Sequence, residues 1–160
     1  MKLIYTALLA FTLANTYTLT AQTADKEPVP EKLSDGPEYD KHYQKLKELY
    51  IKQLKSESYK KYFELNRSFI NKMNYKGKIS KLGNNMLGWI KENIGKTSFE
   101  SYEAAEKEWQ AVQAASRKSM GKNKEYYDYT RTCIKCCGSE MIAHVLTEVM
   151  QEHPELVFGE

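Results

Sequence analysis

Along most of the chain, large apolar residues recur every three or four positions, and no segment alternates apolar and polar residues between turn signals. That periodicity predicts amphipathic helices and leaves no candidate strand. Tyr39, Tyr43, Leu46, Tyr50 and Leu54 define one stripe, and Lys41, Lys45, Lys52 and Lys55 fall on the opposite face. A second stretch holds Tyr59, Tyr62, Phe63, Asn66, Phe69, Ile70 and Met73, and two readings fit it: a continuation of the first helix, or a new helix after a break marked by Ser56 and Ser58. Ile79, Leu82, Met86, Ile90 and Ile94 suggest a third helix, weakened by Gly83 and Gly88. Tyr102, Ala105, Trp109, Val112, Ser116 and Met120 form the clearest stripe, with Thr97 or Ser101 as its N-terminal cap and Gly121 as its stop.

From Asn123 to His153 two apolar faces oppose each other. Tyr126, Tyr129, Cys133, Cys136 and Cys137 make one, and Met141, Ile142, Val145, Leu146, Val149 and Met150 make the other. A single straight helix would be apolar on both sides. The sequence therefore predicts a break at Gly138, with Ser139 capping a new helix, Glu140 in its first turn and Pro154 ending it. The expected fold is all-α, a compact bundle of four to six helices over residues 38–157, following a signal peptide at 1–21 and a flexible, disordered leader at 22–37.

The leader assignment rests on composition. Lys2 precedes an apolar run from Leu3 to Ala14, and Ala21 offers a small residue before Gln22. The run is about 12 residues against the roughly 20 that a membrane span needs. Pro28, Pro30, Gly36 and Pro37 then sit among charged and small residues. The reading implies an exported protein, periplasmic or secreted, in an oxidising compartment where thiols are disulfide candidates first. A mean hydropathy of −0.67 excludes a multi-spanning membrane protein.

Charge is uneven. Residues 41–96 carry 14 basic and 4 acidic side chains, whereas 97–160 carry 7 basic and 11 acidic. The basic half points to an anionic partner, namely lipid head groups, acidic polysaccharide or an acidic protein, with Lys41, Lys45, Lys52 and Lys55 as the expected contact. Nucleic acid is disfavoured, because the tyrosines of that helix lie opposite its lysines and read as core. Two blander readings compete: a solvated lysine face, or the basic half packing near the acidic half within one molecule or between copies.

The one unusual constellation is Cys133-Ile134-Lys135-Cys136-Cys137. On a helix these thiols are neighbours. With three cysteines in the chain, any internal bridge is local and one thiol is left over, buried or bridging to a second copy. A redox C-x-x-C is weakened by its place in a last helical turn, where the dipole opposes thiolate. Metal binding would recruit His144 or His153, but no second C-x-x-C exists, so a metal is left unassigned. Haem attachment fails because Cys137 occupies the position where a histidine is required. Neither hydrolase, zinc-protease, P-loop nor dinucleotide motifs occur, so no catalytic residue and no cofactor is assigned. The sequence reading is a non-enzymatic binding or interaction module, with homo-oligomerisation open. The alternative is a thiol-dependent metal or redox protein.

Overall fold

A computed structural model describes residues 33–158. The signal-peptide reading at 1–21 and most of the expected linker lie outside the described residues. Among those described, the chain is all-helical, with seven α-helices joined by short 3-10 turns and no strand. They are α1 (Gly36–Lys55), α2 (Glu57–Met73), α3 (Met86–Glu92), α4 (Tyr102–Lys122), α5 (Lys124–Cys137), α6 (Ser139–Glu152) and α7 (Pro154–Phe158). The sequence reading treats 38–157 as one domain. Among the described residues the fold divides into two compact units, one spanning 57–119, the other joining 33–56 to 120–158.

In the second of these, α1, α5 and α6 pack on one another and α7 folds against α1 and α6. The core takes Leu46, Leu49, Tyr50 and Leu54 from α1, Cys133 and Cys137 from α5, and Met141, Ile142, Val145, Leu146 and Val149 from α6. The α1 stripe is rotated from the expected one. Leu49 and Gln53 are buried, while Tyr39 and Tyr43 are only half-buried. Three neighbouring helices cover a wider arc than a narrow seam would, so flanking positions are drawn in. Tyr50 stacks on Tyr126, with ring centroids 5.6 Å apart. Helix α1 starts at Gly36 with Pro37 in its first turn, so the expected linker ends earlier than 37.

Gly138 makes the break between α5 and α6 as the opposed apolar faces require. Its φ is +87°, a left-handed conformation that costs glycine little. Ser139 lies inside α6, whose cap position is Gly138 itself and carries no side-chain cap. Pro154 does not merely end α6. It opens α7, where a missing N–H costs nothing at the first helical position.

The unit at 57–119 is built on Phe69, fully buried, with ring centroids 5.1 Å from both Phe99 and Trp109. Tyr62, Met73, Ile79, Met86, Ile90, Ala105 and Val112 complete its core. Helix α2 stops at Asn74, which adopts φ +53° and donates from Nδ2 to Ser98 Oγ at 2.9 Å. The Ser98 N–H in turn donates to the Lys72 carbonyl at 2.7 Å. The expected third helix is interrupted. Ile79–Lys81 and Gly83–Asn85 form 3-10 turns, and only Met86–Glu92 is α-helical. Gly83 at φ +51° breaks the right-handed path there. Of the two expected caps for α4, Ser101 takes the role, its Oγ accepting from the Ala104 N–H at 3.1 Å. Gly121 does not stop α4, which runs one residue further to Lys122.

Candidate functional site

Both sequence-derived sites fall in the unit formed by α1, α5, α6 and α7, on different parts of it. The thiols occupy the last turn of α5. Cys133 is fully buried, Cys137 nearly so, and Cys136 half-buried. All three are free thiols. Cys136 Sγ donates weakly to the Cys133 carbonyl at 3.7 Å. The Cys136 carbonyl, one of the four that a helix C-terminus leaves open, accepts the Leu33 N–H at 2.7 Å. The chain just before α1 is thus tied to the thiol turn.

Burial pushes the Cys133 thiol up to about 12, with the neighbouring Cys136 adding to the effect. Burial likewise pushes Cys137 up to about 12, followed by its hydrogen bond to Cys136. Without a cation beside it, such a thiol keeps its proton at neutral pH and is a poor nucleophile. Among the described residues, no three His, Cys, Asp or Glu side chains converge as a metal site. The histidines are engaged elsewhere. His144 packs edge-on against the Tyr43 ring at 5.5 Å, and His153 Nδ1 lies 3.4 Å from Glu155. His42 Nδ1 shares a hydrogen bond with the Tyr129 hydroxyl at 2.9 Å.

The lysine face of α1 is less uniform than its sequence spacing suggests. Lys45 and Lys52 both reach Glu125 of α5, at 3.3 Å each. Lys52 and then Lys45 hold the Glu125 carboxyl below its ordinary range. Lys41 lies 3.6 Å from Glu38 on its own helix. Lys55 pairs with no carboxylate among the described residues. Toward the C-terminal end of α1, Glu48, Ile51, Lys52, Lys55 and Ser56 line an open groove of about 450 Å³.

One cluster escaped the sequence reading. Lys47 Nζ lies 3.0 Å from Glu148 and 2.7 Å from Glu152, and the Tyr43 hydroxyl donates to Glu148. Tyr43 and Lys47 are four apart on α1, as are Glu148 and Glu152 on α6, so two helix ladders pair across one seam. The Glu148 carboxyl is held low, first by the Tyr43 hydroxyl and then by Lys47. The i,i+4 spacing was visible beforehand, but the adjacency of α1 and α6 was not.

Comparison with protein families, with curated proteins and with solved structures finds no match for this chain.

Proposed function

We propose that the protein is an exported, non-enzymatic binding module that engages an anionic partner through the lysine face of α1. The observation that carries the reading is the open groove at the end of that helix, which Lys52 and Lys55 line together with Glu48, Ile51 and Ser56. Lys52 is 75% exposed even while it shares Glu125, so an incoming anion reaches it without rearranging the core. Lysines are compact point charges that suit a polymer or surface of repeating negative charge better than one planar group. Thiol chemistry is the weaker reading, because two of the three sulfurs are buried and firmly protonated.

The test is retention on an acidic polysaccharide such as immobilised alginate. Reversing Lys41, Lys45, Lys52 and Lys55 to Glu should bring elution to lower salt, with Lys52→Glu and Lys55→Glu accounting for most of the change. Retention that ignores both salt and the four reversals removes the proposal.

A further inference from the structure

The unit at 57–119 carries a second cationic surface, which does not depend on α1. Residues 75–91 contain Lys76, Lys78, Lys81 and Lys91 and no acidic residue. Lys76, Gly77, Lys78, Ser80 and Lys81 are all exposed. None of Lys76, Lys78 and Lys81 pairs with a carboxylate among the described residues, in contrast to Lys45 and Lys52. The segment is nevertheless fixed in place. Ile79 is buried in the core of the unit, and successive 3-10 hydrogen bonds run from Lys81 N–H to the Lys78 carbonyl (2.9 Å) and from Leu82 N–H to the Ile79 carbonyl (2.9 Å). The 3-10 turn spans Ile79–Lys81 with Lys78 just before it, so two exposed lysines flank the buried Ile79 anchor.

Two aromatic residues, Tyr75 and Trp89, lie in the same stretch, half-buried, with ring centroids 5.0 Å apart and planes at 72°. Leu82 and Leu87 are also half-buried and lean on the same core. Stacking on nucleic-acid bases needs open aromatic faces, and an edge-to-face pair uses one of its faces internally. Amphipathic aromatic rings beside exposed lysines match the chemistry of a membrane–water interface, where Trp and Tyr sit at headgroup level and lysines meet anionic lipid. We infer that the 75–91 segment docks on a lipid surface bearing anionic headgroups.

The experiment is co-sedimentation of the full chain with phosphatidylserine/phosphatidylcholine vesicles and with pure phosphatidylcholine vesicles. Binding is expected on the anionic vesicles alone, falling with added salt. Each lysine near such a surface contributes about fivefold to partitioning, so Lys76→Gln, Lys78→Gln and Lys81→Gln together should weaken it about a hundredfold. Each single substitution should cost about fivefold, which keeps the test open if the triple variant folds poorly. Brominated lipid should quench Trp89, whereas Trp109 packs against Phe69 and should be spared. An unchanged partition coefficient in the single variants overturns the inference. Loss caused only by Lys52→Gln and Lys55→Gln overturns it too, and leaves the α1 proposal standing. Tighter lysine-dependent binding to a single-stranded oligonucleotide than to anionic vesicles would replace lipid with nucleic acid as the occupant.

Discussion

Alkylation of the native protein should separate the three cysteines. An ordinary thiol has a pKa near 9.0, and burial moves Cys133 to about 12. That difference leaves about a thousandfold less thiolate at neutral pH, and the thiolate is the species that reacts. Access adds a second barrier, because Cys133 has no exposed surface and Cys137 only 6%. Iodoacetamide on the native chain should therefore modify Cys136 first, the half-buried member of the trio. Cys133 and Cys137 should react only when α5 opens, so their labelling should accelerate in urea well below the unfolding midpoint while Cys136 stays constant. Peptide mass spectrometry after timed quenching reads all three sites in one experiment. Equal labelling of Cys133 and Cys136 in native buffer would refute the burial argument. A disulfide among the three would refute it as well, by showing that the α5 terminus rearranges on oxidation.

Four further outcomes are expected. Phe69→Ala removes the ring between Phe99 and Trp109 and should cost about 3–5 kcal/mol, read by urea denaturation followed by circular dichroism. Ser101→Ala deletes the α4 cap and should cost about 1 kcal/mol in the same assay. The folded-state pKa of Glu148 lies below its ordinary 4.5, so its contribution is present above that value and is lost as pH falls through the folded one. Glu148→Gln should accordingly flatten the acid limb of the stability profile, and an identical limb in both proteins would discard the Tyr43–Glu148–Lys47 cluster as a stabilising feature. Sequencing the N-terminus of protein recovered outside the cytoplasm should begin at Gln22, whereas a product that keeps Met1 and stays in the cytosol contradicts export.

Much of the helical pattern was legible because burial imposes its period on the sequence. The break at Gly138 and the buried stripe of α6 follow from spacing, whereas spacing alone left open whether α1 and α2 were one helix or two. Other features depended on three-dimensional competition. The α1 stripe widened to include Leu49 and Gln53 because several helices, not one, cover it. The expected third helix was cut by the left-handed turn at Gly83, which apolar spacing alone does not reveal. Glycine is also permissive in both directions, and Gly121 stayed inside α4. For the candidate sites, i,i+3 and i,i+4 geometry was enough to gather the thiols. Packing of the basic half on the acidic half was among the readings of the α1 lysines, but the partner was hidden, because Glu125 lies far along the chain and meets Lys45 and Lys52 only when α5 packs on α1.

The proposed binding rests on exposed lysine charge and not on the sulfur cluster. The most direct measurement is the salt dependence of binding to anionic vesicles and to alginate, before and after Cys136 is alkylated. Affinities should fall steeply with salt and stay unchanged on alkylation. Binding that survives high salt, or that vanishes once the thiol is blocked, would contradict the proposal.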